Sequence, residues 1–360
     1  MARQLRIGID ARAAAEEPAG RGRYVRELLR ALPRVHDYVL YARSPWEGVT
    51  DLEWRLIGAA DPLWHLRAAR AASRECDVLL STNSYLTAWF TRIPTVCVVH
   101  DMIPWLPEMH PQRRAALIER ATIRPALRRA AGLVCVSQAT ERDLLGRFAA
   151  ARGKTVVIPH AAPSELLDGP DTEALAAARE RLALPDRFVL AAGTLEPRKN
   201  LPRLIQAHAG LGEAAPPLLL TGPSGWQLED ALAGATERPD AVRQLGYVSE
   251  TDLAALYRLC TVFAYPSLYE GFGLPLLEAM ACGAACVSSR SSSLPEVGGD
   301  AVAYADPLSV ASIRDALARL LGAPEERERL SVAARGRARG FSWERTARET
   351  LAFLERAALG

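Results

Sequence analysis

Residues 261–283 read TVFAYPSLYEGFGLPLLEAMACG, and they predict a strand, a loop and a helix in succession. The apolar residues 261–265 have the composition of a buried strand. The glycines of YEGFG leave the loop backbone open to a bulky polar ligand. Pro275 fits the first turn of a helix, and Gly283 is suited to ending it. Short apolar strands and amphipathic helices alternate along the rest of the chain, which predicts α/β architecture with parallel sheets.

Two glutamates in this stretch, Glu270 and Glu278, lie on either side of the predicted helix start. Glu270 is in the loop and Glu278 is about one turn inside the helix, so they flank backbone N–H groups that have no partner within the helix. Such a terminus attracts phosphate, and carboxylates accept hydrogen bonds from sugar hydroxyls. The alternative is a helix that carries two ordinary surface acids.

A second segment, FVLAAGTLEPRKNL at residues 188–201, predicts a buried strand followed by a loop with two adjacent cations. Arg198 can bind a diphosphate as a fork and Lys199 as a point charge. Asn200 is the expected N-cap of the helix that follows. The chain has 44 Lys plus Arg, of which only Lys154 and Lys199 are lysines, so a lysine beside an arginine here suggests a function. Together the two segments predict a nucleotide-sugar site; the alternative for the cations is a solvated charge pair.

These motifs carry a family resemblance. The chain resembles the family-4 retaining glycosyltransferases (glycosyltransferase group 1), which are marked by two glutamates with seven residues between them in a setting like YEGFGLPLLEAMACG. Further matching segments run in the same order from about Leu5 to Leu354: RIGIDAR, GRGRYVRELL, VVHDMIPWLPE, VCVSQATERDLL, VVIPHAAP, GTLEPRKNL, LLLTGPSGW, LGYVSETDLAALYR, SSSLPEVGGDA and FSWERTARETL. The resemblance implies the GT-B fold, in which two Rossmann-like, doubly wound domains face a central cleft.

Length and composition agree with two domains. The chain has 360 residues, more than one core usually encloses, and 49% of them are hydrophobic. Residues 1–160 are expected to form a Rossmann-like acceptor-binding domain, and residues 164–342 a Rossmann-like nucleotide-sugar-binding domain. The two prolines within residues 158–163 mark the expected hinge. The resemblance implies that the last helix, residues 343–357, packs back on the first domain.

Apolar runs and helical periodicity locate the elements. Strands are predicted at residues 6–11, 38–42, 78–81, 95–99, 133–137, 188–192, 217–221, 243–246, 262–265 and 285–288. Helices are predicted at residues 21–32, where Val25, Leu28, Leu29 and Leu32 share a face, and at residues 111–131.

Charge and cysteine content exclude several classes of protein. A net charge of +2 gives no general argument for nucleic-acid binding. The six cysteines include no Cys-x-x-Cys pair and are expected to be reduced thiols in a cytoplasmic protein. Neither a signal peptide nor a membrane-spanning apolar run is recognisable. The chain also lacks an Asp-x-Asp triplet, so a divalent-metal clamp on the diphosphate is not expected. No other cofactor is expected, since the nucleotide sugar is a substrate.

The resemblance assigns further residues. It places His100, at the end of the apolar run TVCVV, near the anomeric centre of the donor, whereas the structural alternative is a histidine that satisfies a strand-end hydrogen bond. Asp101 is expected to orient that imidazole or to cap the next turn. Gly22 belongs to a glycine-containing loop that approaches the donor phosphates, and Tyr247 and Val248 belong to the region that packs against the nucleobase.

The expected site residues form two sets. The predicted catalytic residues are His100, Arg198, Lys199 and Glu270. The predicted donor-binding residues are Gly22, Arg198, Lys199, Tyr247, Val248, Glu270, Gly271, Phe272, Gly273, Leu274 and Glu278. Glu270 is expected to bind sugar hydroxyls and Glu278 the ribose, and no residue is expected to bind a metal.

The resemblance to the mannosyltransferase branch implies transfer of a hexose, with mannose from GDP-mannose as the first candidate. The acceptor is expected to be a saccharide or a polyprenyl-linked saccharide in polysaccharide assembly. A UDP-sugar donor is the main alternative, and a non-catalytic module that binds sugar nucleotides is another. A phosphorylase would need a lysine for pyridoxal phosphate, and the chain offers only Lys154 and Lys199.

A cationic stripe on the predicted helix at residues 111–131 suggests an additional partner. At 100° per residue, four arginines lie within about a quarter-turn of one another: Arg113, Arg120, Arg124 and Arg128. The functional interpretation is a contact with an anionic membrane surface, which would place the protein peripherally on the inner face of the membrane. The alternative is a solvated arginine face in an arginine-rich protein.

Overall fold

A computed structural model describes residues 3–17, 20–109, 112–168, 171–223, 225 and 241–360. The chain forms two compact units. The N-terminal unit comprises Met1–Pro107, Pro111–His160 and Ser342–Gly360, and the C-terminal unit comprises Glu108–His110 and Ala161–Phe341. Each unit is built on one parallel sheet, as the sequence predicts.

The sheet of the N-terminal unit has seven strands in the order β3-β2-β1-β4-β5-β6-β7. They are β1 (Arg6–Asp10), β2 (Asp37–Ala42), β3 (Glu53–Leu56), β4 (Val78–Ser81), β5 (Thr95–Val99), β6 (Gly132–Cys135) and β7 (Thr155–Val157). The sheet of the C-terminal unit has six strands in the order β10-β9-β8-β11-β12-β13. They are β8 (Val189–Ala192), β9 (Leu218–Thr221), β10 (Val242–Gly246), β11 (Val262–Tyr265), β12 (Cys286–Ser289) and β13 (Ala303–Ala305).

The described α-helices are numbered in chain order. In the N-terminal half they are α1 (Arg12–Glu16), α2 (Arg21–Ala31), α3 (Leu63–Glu75), α4 (Thr87–Phe90), α5 (Arg113–Arg129) and α6 (Gln138–Arg147). They continue with α7 (Ser164–Asp168), α8 (Thr172–Arg181), α9 (Leu201–Ala209), α10 (Glu250–Leu259), α11 (Leu274–Ala281), α12 (Leu294–Gly298), α13 (Val310–Gly322), α14 (Pro324–Ala338) and α15 (Trp343–Leu359). Among the residues with described positions, no helix is both long enough and apolar enough to cross a membrane.

Burial explains why these segments form strands and helices. Ile7 and Ile9 of β1 are fully buried, as expected for a parallel strand with both faces covered. Val25, Leu28 and Leu29 of α2 are also fully buried, which confirms the apolar face predicted for that helix. In the C-terminal unit, strands β8, β9, β11 and β12 contribute buried apolar residues to a core that helices α9 and α13 help to cover.

The last helix, α15, belongs to the N-terminal unit. The Thr346 hydroxyl donates a hydrogen bond to the carbonyl of Pro159 at 2.7 Å. Gly132 in β6 allows the Phe353 ring to approach, because a Cβ at that position would lie 2.5 Å from the ring. Substitution of Gly132 would therefore force the Phe353 ring to move.

The predicted strands are confirmed, with ends that differ by at most two residues. Three strands were not predicted: β3, β7 and β13. They lie at sheet edges and have only three or four residues, too few for a recognisable pattern. The helix predicted at residues 111–131 is observed as α5, which is shorter at both ends, and residue 111 lies outside the described positions.

The strand order reverses once in each sheet. In the N-terminal unit the reversal lies between β1 and β4, and in the C-terminal unit it lies between β8 and β11. At such a switch point the loops that leave the two strands diverge to opposite sides, which opens a crevice at the carboxyl edge of the sheet. The segment EPRKN follows β8 and the segment YEGFG follows β11. The topology therefore brings both predicted segments to the same crevice.

Candidate active site

The two predicted cations lie in a short 3₁₀ turn, Pro197–Lys199, beside the loop that follows β11. Lys199 Nζ donates hydrogen bonds to Glu270 Oε1 at 2.7 Å and to the Tyr265 hydroxyl at 2.5 Å. Arg198 forms ion pairs with Glu270 and with Glu196. Three predicted site residues, Arg198, Lys199 and Glu270, are thus in direct contact.

This cluster is almost closed to solvent. Glu196 and Lys199 have 8% of their side-chain surface exposed, Glu270 has 6% and Arg198 has 15%. Burial alone would raise the pKa of Glu270, but the charges of Arg198 and Lys199 outweigh burial and lower its pKa to about 2. Burial and the neighbouring Arg198 lower the pKa of Lys199. The Glu270 carboxylate is therefore fully ionised at neutral pH.

The YEGFG loop is fixed by a pair of serines from the segment after β12. Ser292 Oγ accepts a hydrogen bond from the backbone N–H of Glu270 at 2.8 Å. Ser293 Oγ donates to the carbonyls of Glu270 at 3.0 Å and Phe272 at 2.8 Å. Gly273 precedes α11 with φ +104°, a conformation that L side chains rarely adopt. The loop geometry is thus set before any ligand binds.

Glu278 lies one turn inside α11, as predicted, and is buried. The Tyr257 hydroxyl of α10 donates a hydrogen bond to Glu278 Oε2 at 3.2 Å. Glu278 is therefore held by a neighbouring helix rather than displayed on the surface, which excludes the alternative of an ordinary surface acid. Its role toward ribose stays a prediction.

Asn200 occupies the N-cap position of α9, as predicted, but its side chain does not cap the helix. Asn200 has φ +63° and makes no side-chain cap to α9. Its amide nitrogen instead donates to the carbonyls of Pro266 at 3.1 Å and Pro307 at 2.6 Å. Because Pro266 follows β11, Asn200 ties together the two loops that carry Arg198 and Glu270. The asparagine thus stabilises the site rather than the helix.

His100 and Asp101 follow β5 in the N-terminal unit. His100 Nε2 donates a hydrogen bond to the carbonyl of Thr82 at 2.7 Å, so Nδ1 of the neutral ring is an acceptor. Burial, the charge of Arg21 and the neighbouring His160 lower the pKa of His100 well below its ordinary value. Asp101 Oδ1 accepts from the backbone N–H of Ile103 at 3.0 Å and so caps the next turn, one of its two expected roles.

The remaining predicted residues have different surroundings. A Cβ on Gly22 would lie 1.8 Å from the carbonyl oxygen of Glu17, so the start of α2 needs a glycine for close packing. Tyr247 and Val248 follow the end of β10, and the Tyr247 side chain is 62% exposed. Gly22 lies in the N-terminal unit with His100, and Tyr247 and Val248 lie in the C-terminal unit. Their contacts with a donor stay predictions.

A polar cluster that the sequence did not predict lies at the carboxyl edge of the N-terminal sheet. Arg21 donates to Glu119 Oε1 at 2.8 Å and to Asn83 Oδ1 at 3.2 Å, and it lies 4.0 Å from Asp101 Oδ2. Asn83 donates to Glu17 Oε1 at 2.7 Å. These residues lie between positions 17 and 119 of the sequence, so no local motif predicts the cluster.

Five further residues of the site were not predicted: Glu196, Tyr265, Tyr257, Ser292 and Ser293. Glu196 lies inside the motif EPRKN, and that position was the available signal for it. The other four support the site through one or two hydrogen bonds each, and they come from segments distant in the chain from Arg198, so the sequence carries no pattern for them. Among the described residues, no group of three His, Cys, Asp or Glu side chains is placed to hold a metal ion.

Two family models match the chain. Glycosyltransferase Family 4 matches residues 18–165, and Glycosyl transferases group 1 matches residues 175–337. Each match therefore falls mainly on one of the two units, and the second includes both Arg198–Lys199 and the two glutamates.

Two named relatives are mannosyltransferases. The chain is 35% identical over 276 residues to the O-antigen chain mannosyltransferase B of Escherichia coli, an alignment that covers 75% of this chain and 71% of the relative. It is 34% identical over 266 residues to the serotype-specific mannosyltransferase WbdA of Escherichia coli. That second alignment covers 70% of this chain but only 32% of WbdA.

The fold matches a solved structure over nearly the whole length of the chain. HepE from Anabaena, solved in complex with UDP-glucose, has a TM-score of 0.79 and 18% sequence identity. The match covers 97% of this chain and all of that one. The two parallel-sheet units of this chain therefore have the GT-B fold. The two family models and the mannosyltransferase relative show that the chain belongs to the glycosyltransferases of group 1 and family 4.

Proposed function

We propose that this glycosyltransferase moves a hexose, with mannose from GDP-mannose as the first candidate, to a saccharide or lipid-linked saccharide acceptor in polysaccharide assembly. The observation that carries the proposal is the cluster of Arg198, Lys199 and Glu270 at the switch point of the C-terminal sheet. The names of the two Escherichia coli relatives support mannose. The UDP-glucose bound to HepE supports the alternative, a UDP-sugar donor.

The proposed division of labour follows from charge. Arg198 and Lys199 bind the diphosphate, and the N-terminus of α11 adds partial positive charge. Glu270 accepts hydrogen bonds from sugar hydroxyls, and Glu278 accepts them from the ribose. Since two side-chain cations and a helix terminus can bind the leaving group, we propose transfer without a divalent metal or another cofactor.

The proposed mechanism retains the anomeric configuration. The bond between the anomeric carbon and the diphosphate oxygen breaks, and the acceptor oxygen attacks from the same face of an oxocarbenium-like state. The departing phosphate takes the proton of the acceptor hydroxyl. On this account the buried cations stabilise the charge that develops on the leaving diphosphate.

We expect GDP-mannose to raise the melting temperature of the protein in a thermal-shift screen of nucleotide sugars. A ligand that binds the folded state stabilises it by mass action. GDP-glucose differs from GDP-mannose only in the sugar and is the control for sugar preference. The comparison of GDP-glucose with UDP-glucose isolates the preference for the base. The stabilising donor should then be consumed in a transfer or hydrolysis assay. Stabilisation by UDP-glucose alone would replace the donor assignment, and binding without any turnover would favour a non-catalytic module.

The acceptor is proposed to bind the N-terminal unit. The cluster around Arg21 offers carboxylate and amide oxygens from Glu17, Asn83, Asp101 and Glu119, which suit the hydroxyls of a saccharide. His100 Nδ1 is a further acceptor on the same unit.

Helix α5 supports a membrane contact by the same unit. Its exposed arginines surround two exposed apolar residues, Leu117 at 69% and Ile118 at 48% exposure. The exposed arginines are Arg113, Arg114, Arg120, Arg124, Arg128 and Arg129. Arginines near an anionic surface are attracted to it, and exposed apolar side chains beside them can enter the headgroup region. We therefore place the protein in the cytoplasm, resting on the inner face of the membrane.

Binding to anionic vesicles should be salt-sensitive and should fall when Arg113, Arg124 and Arg128 become glutamate. Each arginine near an anionic surface contributes about 1 kcal/mol. Arg120 is spared because its side chain donates to the carbonyl of Pro104. Vesicle co-sedimentation measures the effect, and activity on a short soluble acceptor should persist.

The matched control for the vesicle experiment replaces three arginines of the C-terminal unit, Arg314, Arg319 and Arg329, by glutamate. This triple variant has the same total charge and should still bind anionic vesicles. If the wild-type protein ignores anionic vesicles at low salt, the arginine face is only a solvated surface and the acceptor is soluble.

A further inference from the structure

The buried cluster around Arg198 contains a second carboxylate, Glu196, that the proposed function does not use. Glu196 pairs with Arg198 Nη2, on a different guanidinium nitrogen from the one that pairs with Glu270. Arg198 Nη1 also donates to the carbonyl of Tyr269 at 3.3 Å. Arg198 is therefore held between carboxylates from two loops, one before it in the chain and one after β11.

The backbone next to Glu196 is fixed by the loop after β9. The N–H of Leu195 donates to the carbonyl of Pro223 at 3.0 Å, and the N–H of Gly225 donates to the carbonyl of Leu195 at 3.1 Å. A Cβ on Gly225 would lie 2.3 Å from the carbonyl oxygen of Leu195. Because this contact leaves little room for movement, the Glu196 carboxylate is positioned before a ligand arrives.

The two carboxylates differ in what a donor would do to them. Glu270 contacts both cations and lies in the loop that precedes α11, so a diphosphate that takes the cations would free Glu270 for sugar hydroxyls. Glu196 precedes Arg198 by two residues in the same turn, so it can stay paired while Arg198 binds phosphate through its remaining N–H groups. We therefore expect Glu270 to be the partner that a donor displaces from Arg198 and Glu196 to be the partner that stays.

The charges of the four side chains Glu196, Arg198, Lys199 and Glu270 sum to zero in a nearly closed site. An uncompensated pair of buried cations would bind a nucleoside diphosphate more tightly, and the product carries more charge on its terminal phosphate than the donor does. Tight product binding slows turnover when product release limits the rate.

We propose that Glu196 is a positioning residue that orients Arg198 toward the diphosphate and, as a permanent counter-charge, weakens binding of the nucleoside diphosphate product. This inference rests on the proposed diphosphate role of Arg198 and Lys199. Glu196 thereby affects product release, whereas a residue needed only for folding would not.

The test compares Glu196→Gln with Glu196→Asp by calorimetric titration of GDP and of UDP. Glu196→Gln keeps the size of the side chain and removes its charge, so affinity for the nucleoside diphosphate should rise by about tenfold or more, because the repulsion between two negative charges is lost. The value of kcat should fall, and product inhibition should become stronger. Glu196→Asp keeps the charge and should have an affinity close to that of the wild type.

Glu213→Gln is the control, because it removes the charge of an exposed glutamate in the same unit. It should change neither the affinity for the nucleoside diphosphate nor kcat. If the wild-type protein binds GDP or UDP but Glu196→Gln binds it equally well or more weakly, the role of Glu196 is overturned and the proposed function is not. If the wild-type protein binds neither GDP nor UDP, the proposed function fails and this inference fails with it. Thermal melting of each variant separates these results from unfolding.

Discussion

Lys199→Ala should lower turnover by about 10²–10³-fold while changing donor affinity much less. The reason is that negative charge on the leaving diphosphate grows toward the transition state, where a buried cation stabilises it most. Arg198→Ala should have a similar effect, because its guanidinium lies in the same cluster. Steady-state kinetics with separate values of kcat and KM measure both effects.

The double variant should lose less than the product of the two single losses, since both cations serve one group. Lys154→Ala is the matched control, because Lys154 is the other lysine of the chain and donates to the carbonyls of Leu127 and Ala130 at the end of α5. It should leave turnover near the wild-type value. Strictly multiplicative losses, or weak donor binding with normal turnover, would contradict a shared diphosphate site.

Glu270→Gln and Glu278→Gln should separate turnover from nucleotide binding. Glu270→Gln should reduce turnover by about 10²-fold, because the carboxylate that accepts hydrogen bonds from the sugar becomes a neutral amide. It should not weaken GDP binding, because it removes a negative charge beside the two cations that bind the diphosphate. Glu278→Gln should weaken GDP binding by about 1–3 kcal/mol, since a charge-assisted hydrogen bond to the ribose becomes neutral. Calorimetric titration and single-turnover rates measure the two quantities.

Glu180→Gln, an exposed position on α8, is the control for both glutamate variants. Equal losses of GDP affinity in Glu270→Gln and Glu278→Gln would refute the division of labour. Unchanged GDP affinity in Glu278→Gln would remove Glu278 from the nucleotide site. Each outcome leaves the assignment of the cations intact, so the two experiments are independent.

Most of the fold was predictable because strands that are buried on both faces have nearly continuous apolar sequences. The run TVCVV became β5 at the predicted bounds, Thr95–Val99, and VLLS became β4 at Val78–Ser81. The edge strand β3, Glu53–Leu56, has mostly exposed side chains, so its sequence resembles a loop. Strand order, and with it the position of the switch points, depends on long-range pairing that no short segment encodes.

The site was predictable where one segment carries one chemical role. The prediction that α11 starts near Pro275, with Glu278 one turn inside, needed only local signals and is confirmed. Asn200 shows the limit, because its side chain bonds to Pro266 and Pro307 rather than to the helix it precedes. Likewise, the ion pairs of Glu270 with Arg198 and Lys199 join segments that are seventy residues apart.

The central claim is that the protein transfers mannose from GDP-mannose with retention of configuration. The anomeric configuration of the mannose first released from GDP-mannose tests this claim most directly. The purified protein should hydrolyse or transfer mannose from GDP-α-mannose, and proton NMR of the early product should show the α-anomer before mutarotation. Lys199→Ala should nearly abolish that signal under the same conditions. Early appearance of the β-anomer, or no release of mannose by a protein that binds GDP-mannose, would contradict the account.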